Sequence, residues 1–176
     1  MSPEVFHHDF DTDGLALKLK VKLSADQKAV DAVVQRIMQM VRKMDCAGGK
    51  EDAIELALTE ALVNAVVHGA KSDPSKNVEC DVACDEKSGM VIVVRDPGEG
   101  FDPASIPSPV TGENIYSSHG RGIFLINQLM DDVKFHKNGT EIHMIKRFKP
   151  VRSRKARRSR KARPTSKAKN TRRSGK

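Results

Sequence analysis

The sequence has no run of about 18 consecutive apolar residues, so it offers no membrane-spanning helix. Its first residues, MSPEVFHHDFDTDG, carry neither a basic start nor an apolar stretch. No export signal is legible there, and a cytoplasmic protein with no membrane attachment is expected. Cysteine is scarce. Three residues, an odd number, argue against a disulfide framework, and no His or second Cys pair stands at zinc spacing from Cys80 and Cys84. These two thiols share a predicted strand face with Val78 and Val82 and read as small core residues.

Acid is absent from one stretch altogether. Residues 151–176 hold 13 Lys and Arg and no Asp or Glu, which leaves 18 Lys and Arg against 23 Asp and Glu in residues 1–150. The net charge of +8 therefore divides into a body of −5 and a tail of +13, and the basic isoelectric point describes the tail. RSRKAR occurs twice in tandem there, at 152–157 and 158–163. With no aromatic residue and Val151 as its only large aliphatic one, the tail is expected to be disordered. It could contact nucleic acid or an acidic protein through charge, without base stacking; a solvated tail of little consequence is an equal reading.

What remains is enough for one domain. The expected organisation is a disordered segment over 1–14, a folded domain over 15–149 and the basic tail over 150–176. Leu15, Leu17, Leu19, Val21 and Leu23 alternate with Lys18, Lys20 and Lys22, a strand with one wet face. Ser24 and Gln27 form a capping-box pattern. After it Val30, Val33, Val34, Ile37, Val41 and Met44 repeat at helical spacing up to Gly48 and Gly49. Met38, Met40 and Met44 read as core or as a partner surface. A second helix spans Glu55 to Gly69, with Gly69 as a left-handed cap. Val78–Asp85 and Met90–Arg95 read as a hairpin, Pro97–His119 as a long irregular stretch and Gly122–Met130 as a short helix. A second hairpin, Val133–His136 and Thr140–Arg147, flanks Asn138–Gly139. Wet-faced hairpins with helices grouped between them point to an α+β fold: a two-layer sandwich with a mixed, mostly antiparallel sheet covered by helices on one face.

Within the second helix, two side chains break an otherwise apolar pattern. Glu60 and Asn64 lie one turn apart on one face, about 5 to 6 Å apart at Cβ, beside Ile54, Leu58, Ala61, Leu62 and Ala65. On a largely buried helix such a pair faces a cavity or a partner. His68, a further turn along, reads as a helix-end cap rather than a catalyst. Two glycine clusters follow. In DPGEG, Gly98 and Gly100 leave no Cβ in the way of a flat ligand, and Asp96 at the strand end can accept a hydrogen bond from an exocyclic amine; the same residues also make a common turn. Gly120, Arg121 and Gly122 open a helix, where free N–H groups, the helix dipole and the Arg121 cation favour an anion; a plain glycine-rich loop fits as well.

Taken in order, ELALTEALVNAVVHG, VVRDPGEGFDP, HGRGIFLINQLMDDV and GTEIHM resemble the successive boxes of the GHKL ATPase superfamily with its Bergerat fold, and most closely the anti-sigma factor serine/threonine kinases. The resemblance covers about Leu15 to Lys149. It implies ATP and Mg²⁺ as ligands, with Glu60 as general base and Asn64 as metal ligand. It also implies Asp96 as acceptor of the adenine amine, supported by Thr140 from the facing strand. Gly98 and Gly100 would lie beside the base and Gly120, Arg121 and Gly122 at the phosphates, while 101–119 would form a lid. A sigma factor and a STAS-type antagonist phosphorylated on Ser or Thr are the implied partners, and a homodimer is the implied assembly. Two other readings compete: an ATP-binding module that sequesters a partner with little turnover, and a polyanion-binding protein acting through residues 151–176.

Overall fold

A computed structural model of the chain describes residues 17–85, 89–102 and 121–148. The expected N-terminal segment, the basic tail, Gly120 and the lid beyond Asp102 lie outside the described residues. The elements run β1 (Leu17–Ser24), α1 (Gln27–Lys43), α2 (Glu51–Asn64), a π turn (Ala65–Gly69), β2 (Asn77–Asp85), β3 (Gly89–Arg95), α3 (Arg121–Leu129), β4 (Asp132–His136) and β5 (Glu141–Lys146). The strands form one sheet in the order β1-β2-β3-β5-β4, and every pairing is antiparallel. The α+β sandwich expected from the sequence is the architecture found, except that the sheet, expected to be mixed, is wholly antiparallel among the described residues.

Strand alternation sorts the sheet into two faces. Leu17 and Leu23 of β1, Val78, Cys80, Val82 and Cys84 of β2, and Met90, Ile92 and Val94 of β3 join one core with Ile142 and Met144 of β5. Against that face lie the helices, with α2 in contact with both α1 and α3. Ile54, Ala57, Leu58, Ala61 and Leu62 of α2 are all buried. Lys18, Lys20 and Lys22 project from the other face of β1, charges that protect an edge strand from further pairing. Burial pushes the Cys80 thiol up to about 12, so it packs as an unreactive apolar group.

Several local expectations are corrected. α1 is capped by Asp26, whose carboxylate accepts the Lys28 N–H at 3.1 Å, and not by a Ser24–Gln27 box. Ser24 is unavailable because it still pairs with Asn77 in the sheet. Of the three methionines read as core or partner surface, Met38 is buried, whereas Met40 and Met44 are exposed. α2 begins at Glu51, four residues before the expected start, with Glu51 and Asp52 complementing its dipole. Gly69 is not left-handed; Lys71 (φ 59°) and Ser72 (φ 53°) are. Thr140 sits in the β4–β5 turn rather than in β5, after three left-handed residues, Lys137, Asn138 and Gly139.

A charge network occupies the sheet face away from the helices. Arg95 donates from Nε to Glu141 (2.7 Å) and from Nη1 to Asp81 (2.8 Å). Glu141 also accepts from Lys137 Nζ (2.8 Å) and from His143 Nε2 (2.6 Å). Burial alone would raise the Glu141 carboxyl, but hydrogen bonds from Lys137, His143 and Arg95 hold it down to about 2. Burial lowers His143, against the pull of Glu141.

Two outcomes are expected. Leu58→Ala, which empties a fully buried site on the central helix, should cost about 2 to 5 kcal/mol in urea unfolding, and a loss below about 1 kcal/mol would contradict the packing described. Because the folded pKa of Glu141 lies below its unfolded value, its contribution is fully present above that unfolded value and is lost as pH falls toward 2. Glu141→Gln should therefore flatten the acid limb of the stability–pH curve; a curve parallel to wild type would exclude this role.

Candidate functional site

The polar helix and the two glycine clusters meet at one end of the sandwich. The β3–β5 register places Arg95 opposite Glu141, so the chain leaves β3 at Asp96 beside Thr140, whose carbonyl accepts the Asp96 N–H at 3.0 Å. Asp96, Gly98, Gly100 and Thr140 line a cleft of about 670 Å³, and Asn64 and Gly122 line it as well. Six of the residues singled out from the sequence thus share one cavity. Phe101, Phe135, Ile123 and Ile142 add apolar walls.

Glu60 and Arg121 stand differently. Glu60 is half-buried and is not part of the cleft wall; it meets the N-terminal end of α3, where a Cβ on Gly122 would fall 2.7 Å from its Oε2. The same Cβ would lie 3.2 Å from Nδ2 of Asn64. Glycine at 122 therefore lets the start of α3 settle against both polar side chains of α2. Arg121 is exposed at the first position of α3 and does not line the cleft.

Asp96 is half-buried. Burial raises its carboxyl above the ordinary carboxylate value, while the Gly98 N–H donating to Oδ1 at 2.8 Å and the charge of Lys71 oppose the rise. The segment beyond it is clamped to the β4–β5 turn. Gly100 is left-handed (φ 80°), a Cβ there would overlap the Asn138 carbonyl at 1.8 Å, and the Phe101 N–H donates to that carbonyl at 2.9 Å. Phe101 also packs edge-on to Phe135, with ring centroids 5.4 Å apart. Thr140 Oγ1 donates to the Lys137 carbonyl at 2.8 Å, which fixes the turn.

Sequence reasoning missed four contributors to the wall. Gly69 was read as a cap and instead lies against Asp96. Lys71 and Lys76 come from a polar loop with no pattern to distinguish them, and Phe135 was legible only as an inward-facing strand residue. His68, set aside as a cap, is exposed and lines the cleft.

Chemically, the cleft offers a carboxylate and a carboxamide, with backbone brought close by missing side chains. This suits a planar, amine-bearing ring with an anionic extension. No group of three or more His, Cys, Asp or Glu able to hold a metal occurs among the described residues. A divalent ion here would need most of its oxygen ligands from the bound molecule and water, as Mg²⁺ accepts. No helix among the described residues is long and apolar enough to cross a membrane.

Comparison with known proteins identifies the family. Residues 23–146 match the histidine kinase-like ATPase domain. The chain is 36% identical over 115 residues to the serine-protein kinase RsbW of Staphylococcus epidermidis, covering 58% of this chain and 71% of the relative. It is 26% identical over 136 residues to the serine-protein kinase RsbW of Bacillus cereus, covering 73% and 84%. It is 25% identical over 135 residues to the anti-sigma F factor of Heyndrickxia coagulans, covering 73% and 91%. With the matched span reaching from the end of β1 to the end of β5, the chain belongs to the histidine kinase-like ATPase domain family.

Proposed function

We propose that this protein is an ATP-dependent serine/threonine kinase of the anti-sigma type. It would transfer the γ-phosphoryl group of ATP to a STAS-type antagonist and, when not so engaged, sequester a sigma factor. Residues 15–149 form the ATPase domain in this reading, and a cytoplasmic homodimer is its working form. The observation that carries it is the convergence of Asn64, Asp96, Gly98, Gly100 and Gly122 on one cleft with Glu60 one helical turn from Asn64. The names of the relatives supply the direction of the chemistry.

Each residue has a defined task. Asp96 accepts the exocyclic amine of adenine, while Thr140 ties down the turn beside it and Gly98 and Gly100 keep the backbone close to the ring. Asn64 would hold, through its amide oxygen, the Mg²⁺ that accompanies the triphosphate, and the chemistry supplied there would be neutralisation of phosphate charge. The N-terminal end of α3, with Arg121 and Gly122 and with Gly120 before it, receives the phosphates through backbone N–H groups. The seryl or threonyl oxygen bonds to the γ-phosphorus of ATP as the bond from that phosphorus to the β–γ bridging oxygen breaks and ADP leaves, and Glu60 receives the hydroxyl proton.

One observation favours a second reading, a nucleotide-dependent sequestering module with little turnover. The start of α3 rests against the Glu60 carboxylate, and Glu60 is outside the cleft wall. Single-turnover transfer of labelled phosphate to a STAS-type protein separates the two. In the kinase reading Glu60→Gln should lower the rate by roughly 10² to 10⁴-fold while ATP still binds, and Asn64→Ala should abolish the Mg²⁺ dependence. Equal rates in wild type and both variants would exclude the assigned roles, and no transfer by wild type with intact partner binding would select the module.

Asp96→Asn should weaken ATP roughly tenfold or more in calorimetry, since an amide replaces a charged acceptor. Because burial raises the Asp96 carboxyl, wild-type affinity should begin to fall on acidification at a higher pH than an exposed carboxylate would give. Unchanged affinity in Asp96→Asn would contradict the first statement, and pH profiles of identical shape in the two proteins would contradict the second.

A further inference from the structure

The helix that carries Glu60 and Asn64 does not end as an α-helix. Ala65–Gly69 wind as a π turn, in which the Ala70 N–H donates to the Ala65 carbonyl at 2.8 Å. Each hydrogen-bonded ring of such a turn encloses one more residue than in an α-helix, and π bulges recur at functional positions. Here the turn sets the Gly69 backbone directly against the carboxylate at the end of β3. A Cβ on Gly69 would fall 2.2 Å from Cγ and 2.3 Å from Oδ1 of Asp96. From the other side, a Cβ on Gly98 would fall 2.5 Å from the Gly69 carbonyl oxygen. Gly69 is thus wedged between Asp96 and the loop that follows it. Its backbone is not in the left-handed region, so glycine is required for space rather than conformation.

We infer that Gly69 is a positioning residue for Asp96, and that the π turn is the ruler fixing the Asp96 carboxylate relative to Asn64, the last residue of α2 before the turn. The inference rests on reading the cleft as an ATP site. Asp96 cannot retreat as a whole, because its N–H is held by the Thr140 carbonyl at 3.0 Å. Any side chain at 69 must therefore swing the carboxylate away from the direction in which Gly98 N–H now fixes it. The loss falls on the base and not on the phosphates: the adenine amine loses its acceptor, while Asn64 and the start of α3 keep their places.

Calorimetry on the full chain with Mg·ATP and Mg·GTP tests this in wild type, Gly69→Ala, Asp96→Asn and the double variant. Gly69→Ala should weaken ATP roughly tenfold or more and bring the ATP-to-GTP preference toward one. The double variant should lose no more than Asp96→Asn alone, because both act on one group. Unchanged ATP affinity in Gly69→Ala would overturn the inference. So would equal losses for ATP and GTP, or losses that multiply in the double variant. If Gly69→Ala shows no cooperative unfolding transition, Gly69→Ala combined with Asp96→Gly, which removes the side-chain atoms the new methyl would strike, should restore it; a pair that stays unfolded beside a folded Asp96→Gly would overturn the inference. Wild type binding neither nucleotide would sink the ATP reading; wild type binding ATP beside an unaffected Gly69→Ala would sink only the positioning role.

Discussion

The structure depends on the burial of α2. Ile54, Leu58 and Leu62 are fully enclosed, and Ala57 and Ala61 let the neighbouring elements approach closely. A helix held on so many sides cannot rotate without exposing aliphatic surface, at about 25 cal/mol for each Å² uncovered. That constraint gives Glu60 and Asn64 their meaning. They emerge at the margin where α3 arrives, and Gly122 allows the backbone of α3 to come against them. The same rigid helix then passes into the π turn and delivers Gly69 to Asp96. One buried element and the turn that continues it thereby meet both Gly122 and Asp96.

The sheet supplies the other half of the geometry. β3 is buried along nearly its whole length and pairs on both sides, so the point at which the chain leaves it is fixed by two ladders. Asp96 stands at that exit. Behind it, on the far face, Arg95 is pinned between Asp81 and Glu141, and Glu141 in turn holds Lys137 at the start of the β4–β5 turn. That turn carries Gly139 and Thr140 into the cleft and seats Gly100 and Phe101. The ionic network on one face and the proposed base pocket at the sheet edge are therefore mechanically joined through residues 95–96 and 137–141.

Much of this was legible in the sequence, because strand alternation and helical spacing are direct consequences of burial. The five strands, three helices, both hairpins and the shared stripe of Glu60 and Asn64 could all be read in that way. Other features depend on partners that periodicity does not encode. Ser24 has the chemistry of a cap, yet the sheet ladder claims it and Asp26 caps instead. Gly69 looks like a helix stop, whereas its role comes from Asp96, 27 positions away. The π turn has no sequence signature, and the Arg95–Glu141 pair arises only once β3 and β5 are in register. The relative setting of Glu60 behind Gly122 was equally invisible, since helix spacing gives a face but not what covers it.

The central claim is that the cleft between α2, α3 and the end of β3 is the nucleotide site. The most direct measurement is amide NMR of the labelled chain during titration with Mg·ATP. The account predicts that the largest shifts fall on Asn64, Gly69, Asp96, Gly98, Gly122 and Thr140, with little change at Lys20, Val91 and Ile145 on the opposite sheet face. Shifts confined to that opposite face, or none at saturating nucleotide, would contradict it.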